Sequence, residues 1–139
     1  MVIDPATEKG ARVDARLRDE LVAWLVTVAP NGTPVPTPVW FLWDGATILV
    51  YSQPGTPKLR HIAANPRVAL ALRTDERGDE LAVITGTAAV DESAPAADRL
   101  APYVERYRVG IERLGYDAEA FAREYSVPVR ITPTKLRAW

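Results

Sequence analysis

Pro34, Pro36 and Pro38 fall two residues apart at the start of a segment that ends Val39-Trp40-Phe41-Leu42-Trp43. In an extended chain, residues i and i+2 present their backbone groups to the same edge, so all three missing N–H groups lie along one side. A central strand cannot lose that much of its ladder, and Thr33 to Trp43 is therefore an outer edge or a rim. Silencing an edge also protects it against pairing with another chain. Beyond Pro38 the aromatic residues face both ways. Such a strand has core on one side and, on the other, either a second subunit or a flat ligand.

The rest of the chain reads as a meander with helices inserted. Leu21 to Ala29 is a Val-rich run suited to a buried strand, and Asn31-Gly32 is a hairpin signal that returns it into the proline segment. Asp44-Gly45 turns the chain into Ala46 to Gln53. A short helix is predicted from Pro57 to Ala64, with Leu59, Ile62 and Ala63 on one face and Asn65-Pro66 as its stop. Val68 to Arg73 and Leu81 to Val90 are further strands, separated by the charged loop Asp75 to Glu80. A weak helical pattern runs from Arg12 to Leu17; a stronger one carries Leu100, Val104, Tyr107, Ile111 and Leu114 as an apolar stripe. Gly115 ends that helix and Asp117 caps a short one holding Phe121. Val127, Val129 and Ile131 alternate, whereas Leu136 and Ala138 have the opposite parity, which predicts a bulge near Pro133-Thr134. Six strands without βαβ order define an α+β fold around a small antiparallel barrel, one domain over residues 1–139.

Composition narrows the function classes. Seventeen Lys and Arg against eighteen Asp and Glu leave a net charge of −1, which disfavours nucleic-acid binding. There is no cysteine, so disulfides, thiolate metal sites and thiol catalysis are excluded, and a reducing cytoplasm is the expected location. The amino terminus lacks a secretory pattern. The longest apolar run, Leu21 to Val26, falls far short of the roughly 20 residues that cross a bilayer, so no membrane span is expected. With His61 as the single histidine, no metal site is expected, and His61 reads as a helix-surface residue. Tyr103 and Tyr107, four apart, read as packing. No catalytic acid, base or nucleophile stands out, so if the chain is an enzyme a cofactor carries its chemistry.

The segment Tyr51-Ser52-Gln53-Pro54-Gly55-Thr56-Pro57-Lys58-Leu59-Arg60 is the most informative. Thr56 is a favoured N-cap and Pro57 sits at the first helical position. The free amides of such a turn attract an anion. Lys58 and Arg60 add positive charge where it opposes the helix dipole by about 0.3–1 kcal/mol each, a conflict that a bound phosphate removes. From Gly45 to Thr74 there is no Asp or Glu, while Lys58, Arg60, Arg67 and Arg73 are basic; Arg130, Lys135 and Arg137 end the chain. Two readings stand: a phosphate cradle, or solvated cations at helix and strand ends.

These residues, with His61-Ile62 and Asn65-Pro66-Arg67-Val68-Ala69-Leu70, resemble the flavin-phosphate segment of the pyridoxamine 5′-phosphate oxidase-like split β-barrel superfamily. The order of elements fits from about Ala15 to Trp139, and Val129 to Trp139 is similar to that superfamily's last strand. The resemblance implies a six-stranded antiparallel split barrel, forming a homodimer with the cofactor in a groove at the subunit interface. It implies that Ser52, Gln53, Thr56, Pro57 and Lys58 line the phosphate end, with Arg60 a weaker candidate there. Pro38, Val39, Trp40 and Phe41 would pass along the tricyclic ring, partly through backbone groups. The true oxidases carry basic residues on the second strand, which Thr37 to Trp43 lacks, and continue beyond the point where this chain stops. The short form is more similar to the deazaflavin-dependent oxidoreductases that use coenzyme F-420. The expected function is therefore hydride transfer from that coenzyme to a conjugated small molecule of enone or quinone type. The alternatives are an FMN-binding oxidoreductase and a flavin- or deazaflavin-binding module without turnover. The resemblance implies no fixed catalytic acid or base.

Overall fold

The computed structural model describes residues 1–139. Its strands are β1 (Ala23–Val28), β2 (Pro34–Val39), β3 (Leu42–Trp43), β4 (Ile48–Ser52), β5 (Arg67–Ala71), β6 (Ala82–Val90) and β7 (Val127–Ala138). The helices are α1 (Glu8–Asp19), α2 (Pro57–Ala64), α3 (Ala101–Arg113) and α4 (Ala118–Glu124), with a 3-10 turn at Ala97–Arg99 before α3.

Seven strands, not six, make one antiparallel sheet in the order β2-β1-β5-β6-β7-β4-β3. The extra strand arises because the expected continuous strand from Thr33 to Trp43 breaks at Trp40-Phe41. β2 pairs with β1, Trp24 opposite Pro38 and Val28 opposite Pro34, whereas β3 pairs with β4, Leu42 opposite Leu49. β2 and β3 are thus opposite ends of the sheet, yet Trp40 and Phe41 alone separate them. The step from Val39 to Leu42 spans at most about 10 Å of extended chain. The two ends of the sheet must lie close together, and the sheet curls into a half-barrel.

β2 is an edge, as its prolines require. Ala29 N donates to Thr33 O at the hairpin, so bonded pairs alternate onward through Val35, Thr37 and Val39. Pro34, Pro36 and Pro38 then turn their missing N–H toward the free side. The bulge also falls where parity predicts it. Thr85 is opposite Lys135 and Gly86 opposite Pro133, which leaves Thr134 unpaired. The bulge brings β7 hard against Gly86, where an added Cβ would lie 2.2 Å from Thr132 O. Gly86→Ala is expected to destabilise the fold by about 1–3 kcal/mol as backbone is forced aside. The denaturation midpoint should fall at constant slope; an unchanged midpoint would show that β7 yields freely.

Two cores flank the sheet. Inside the curl lie Leu25, Phe41, Ile48, Leu70, Ile84 and Ile131, with Val13 and Leu17 of α1 completing the cluster. A smaller cluster of Tyr103, Tyr107, Ile111 and Phe121 from α3 and α4 covers Leu49 and Tyr51 of β4. The buried stripe of α3 is therefore Tyr103, Tyr107 and Ile111, while Leu114 is exposed. On α2, Ile62 is buried and Leu59 half-buried, but Ala63 faces solvent, against expectation. α1 begins earlier than its weak periodicity predicts, because Thr7 Oγ1 accepts from Gly10 N at 3.0 Å and fixes the start.

The break at Trp40-Phe41 leaves backbone groups without strand partners, and buried backbone must be satisfied. Tyr107 of α3 does this: its hydroxyl accepts from Phe41 N at 2.8 Å and lies 2.8 Å from Phe41 O and 2.7 Å from Leu21 O. Arg106, beside it, donates to the carbonyls of Leu17, Arg18 and Glu20 at the end of α1, and its guanidinium lies 5.0 Å from the Phe41 ring centre. A cation at a helix C-terminus is favourable. α3 is thereby tied both to α1 and to the crossing that closes the sheet. No helix is long and apolar enough to cross a membrane.

Candidate functional site

The start of α2 is built as expected in backbone but not in side chains. Thr56 holds the N-cap position with extended backbone and Pro57 follows it, yet the Thr56 hydroxyl does not cap. It lies 2.9 Å from Ser52 Oγ, which itself donates to Gln53 O at 2.7 Å. With the Ser52 proton committed, Thr56 is the donor of the pair; Pro57 has no N–H and Leu59 N donates to Thr56 O at 3.1 Å, so Lys58 N is the amide left open at the helix start. Gly55 turns the loop with φ +74°. Arg60 Nη1 donates to Gly55 O at 2.8 Å, so Arg60 braces this loop. Ser52 is buried inside the turn, whereas Gln53 and Pro57 are exposed.

Lys58 differs from the other cations. It is half-buried, and burial alone pushes its ammonium below the ordinary lysine range; no carboxylate offsets the cost. It lines a cleft of about 180 Å³ together with Pro38, Val39, Trp40, Tyr103 and Phe121. Four of the residues expected at a cofactor, Pro38, Val39, Trp40 and Lys58, thus share one cavity.

Phe41 does not join them. Its side chain is fully buried in the main core, and its backbone N and O are both engaged by Tyr107. The second aromatic face of this segment is covered by the chain's own helices. Trp40 stacks on Tyr107, with ring centres 4.7 Å apart and planes 7° apart, and on Phe121 at 5.6 Å. Trp43 lies in the core, its Nε1 donating to Asp14 Oδ1 at 2.8 Å. Among the strands the aromatic residue left outside is Trp24 of β1, 48% exposed, whose face of the strand also carries Val26 and Val28. Its neighbours across the ladder are Ala71 and Pro38. Sequence reasoning did not single out Trp24, because Leu21 to Val26 is wholly apolar and carries no alternation to mark an outer face.

Of the second basic stretch, Arg130 is neutralised. It bonds to Asp91 at 2.7 Å and to Thr47 Oγ1 at 2.8 Å, and pairs with Asp44 at 3.6 Å. Ser93 and then Arg130 hold the Asp91 carboxyl below its ordinary 3.8. Arg18 and Trp43 do the same for Asp14. Depressed carboxylates stabilise the fold above the unfolded pKa and lose that contribution as pH falls through the folded one. Stability is therefore expected to be level near neutrality and to decline below about pH 4. In Asp91→Asn that acid decline should be shallower, measured as the thermal midpoint against pH; an identical profile would remove Asp91 from the balance. His61 Nδ1 lies 2.9 Å from buried Thr27 Oγ1, which makes it a bridge between α2 and β1. No three His, Cys, Asp or Glu side chains gather where they could hold a metal ion.

A curled antiparallel sheet, closed by a short crossing and carrying an aromatic cleft beside a basic helix start, defines a protein of the split-barrel class. The family model described as pyridoxamine 5′-phosphate oxidase matches residues 10–139, and the chain belongs to that family. No curated protein matches the chain. Among solved structures, the conserved hypothetical protein Rv2991 from Mycobacterium tuberculosis superposes with a TM-score of 0.75 at 23% identity, covering 96% of this chain and 84% of that one. An F-420 reductase superposes at 0.66 with 24% identity, covering 89% and 94%. HutZ, the heme storage protein from Vibrio cholerae, does so at 0.64 with 16% identity, covering 99% and 95%. At these identities the likeness is one of fold.

Proposed function

We propose that this chain is a reductase that uses the deazaflavin coenzyme F-420 to reduce a flat, conjugated small molecule of enone or quinone type. The observation that carries this reading is Lys58. A half-desolvated ammonium without a carboxylate partner, at the open first turn of a helix, is a cost that the fold bears without internal compensation. An organic phosphate at that turn would remove it, meeting the open Lys58 N–H as well. The solved F-420 reductase of like fold supports the choice of coenzyme.

The residues present fit such a group. Lys58 and the first turn of α2 would hold the phosphate, with Thr56 and Ser52 shaping the loop, Arg60 bracing it, and exposed Gln53 and Pro57 at its rim. Pro38, Val39 and Trp40 would flank the ring system, with Phe41 behind them as support. When bound, the coenzyme supplies a hydride from its ring carbon. The protein's share is orientation and exclusion of water, worth roughly 7–11 kcal/mol when geometry is ideal. Stacking of Trp40 on Tyr107 and Phe121 keeps that wall rigid.

The exposed outer face of β1, with Trp24, Val26 and Val28 beside the silenced edge of β2, is the surface on which a second copy would pack, placing the coenzyme groove at a subunit interface. FMN is the rival coenzyme within the same family. Titrating the purified chain with F-420 and with FMN, followed by tryptophan quenching and the visible spectrum, tests the proposal. F-420 is expected to bind and, once reduced, to be oxidised by enones or quinones in the presence of the protein. Tight FMN binding with no F-420 binding would overturn it.

A further inference from the structure

Gly110 lies in the interior of α3, where glycine weakens a helix relative to alanine. Its backbone does not call for glycine, since it is not among the glycines with positive φ. The reason is space. A Cβ added at Gly110 would lie 2.7 Å from Trp40 Cζ2 and 2.8 Å from Trp40 Cη2, and the third-nearest atom is Trp40 Cε2. The outer edge of the indole thus rests directly on the backbone of α3.

Trp40 has little freedom to retreat. Tyr107 and Phe121 stack on it, and both rings are themselves fixed. The Tyr107 hydroxyl is engaged by Phe41 N and Leu21 O, and Phe121 stacks on Tyr125 with ring centres 4.4 Å apart. The backbone is held on either side as well, Val39 opposite Ala23 in the ladder and Phe41 by Tyr107. The open space that Trp40 borders is the cleft. Tyr103 and Leu114, seven residues before Gly110 and four after it on the same face of α3, line that cleft too.

We infer that Gly110 is a positioning residue of the coenzyme cleft: with no side chain there, the Trp40 indole seats against α3 and leaves the cleft open to the coenzyme ring. The inference rests on the coenzyme reading and deepens it by naming what sets the position of the aromatic wall. A methyl group at residue 110 pushes the indole off α3 toward the cleft. Binding must then press the ring back against the methyl, and the overpacking strain is subtracted from the affinity.

Gly110→Ala, Trp40→Phe and the double variant form the cycle that tests this, because phenylalanine lacks the Cζ2–Cη2 edge that the methyl strikes. Affinity is read from the visible absorbance of F-420 or FMN, whichever wild type binds. Gly110→Ala is expected to weaken binding roughly 5–150-fold, the range set by overpacking strain. In the Trp40→Phe background the same change should alter affinity by less than about twofold. Without coenzyme, Gly110→Ala should shift the tryptophan emission and the near-ultraviolet dichroism of the Trp40–Tyr107 stack, against a constant background from Trp24, Trp43 and Trp139. A glycine with a merely structural role would move the thermal midpoint and neither the affinity nor these spectra. Equal losses of affinity in both backgrounds, no loss in a folded Gly110→Ala protein, or unchanged spectra overturn the inference. Should Gly110→Ala fail to fold, the double variant decides: folding with a raised thermal midpoint relative to Trp40→Phe supports the inference, and failure to fold overturns it. If wild type binds neither coenzyme, the coenzyme reading falls and this inference with it, whereas binding without coupling in the cycle overturns this inference alone.

Discussion

Phe41→Ala is expected to destabilise the protein by about 3–5 kcal/mol, the range for truncating a fully buried aromatic. Phe41 has no exposed surface, sits in the main core and lies under the Arg106 guanidinium at 5.0 Å. Truncation opens a cavity next to the crossing that joins β2 to β3, and weakens a cation–π contact worth about 0.5–1 kcal/mol or more. The measurement is the urea midpoint at unchanged slope. A loss below about 1 kcal/mol would show that the crossing does not depend on this ring. Phe41→Leu separates stability from binding, because a swap that keeps most of the volume costs under about 1.5 kcal/mol. Coenzyme affinity in that variant should match wild type. A clear drop would return Phe41 to the cofactor wall.

Lys58→Ala is expected to weaken coenzyme binding by about 1.5–3 kcal/mol, roughly 10–150-fold, as befits loss of a hydrogen bond to a charged group. The fold should be unharmed, since Lys58 offers no internal partner and its removal relieves a desolvated charge. Titration by tryptophan quenching reads the affinity, because Trp40 lines the same cleft. Trp43 contributes a constant background from the core. Binding by the wild type should weaken as salt is raised, as for any phosphate held by a partly exposed cation. Unchanged affinity in a folded Lys58→Ala protein removes the phosphate cradle from α2.

Much of the architecture was legible because it depends on neighbours in sequence. α2 occupies Pro57–Ala64 as its N-terminal proline and the Asn65-Pro66 stop require, with Thr56 at the N-cap position though its hydroxyl does not cap. Asp117 caps α4 by accepting from Ala120 N at 2.7 Å. The opposite parities on either side of Pro133 located the bulge to within a residue. The candidate site was legible in part. The α2 segment stood out by its charge pattern, and Pro38, Val39 and Trp40 do meet Lys58. Phe41 lies in the core and not in the cleft because alternation along a strand says which residues share a face, and here the strand is interrupted at Trp40-Phe41. Tyr103 and Tyr107 both pack in the smaller core, as their spacing on α3 predicts.

Local chemistry in the chain decided that β2 would be an edge, where the helices begin and stop, and that a cation would sit at the start of α2. Those outcomes follow from φ restrictions, missing N–H groups and side-chain periods that act within a few residues. Which strands became the two ends of the sheet, and that Tyr107 would satisfy Phe41 from 66 residues away, was decided by tertiary structure alone. Folding also determined that Arg130 would be cancelled by Asp91 and Asp44 while Lys58 would not. The physical reason is distance. Coulomb and hydrogen-bond energies depend on separations of a few ångströms, and those separations do not exist until remote segments pack.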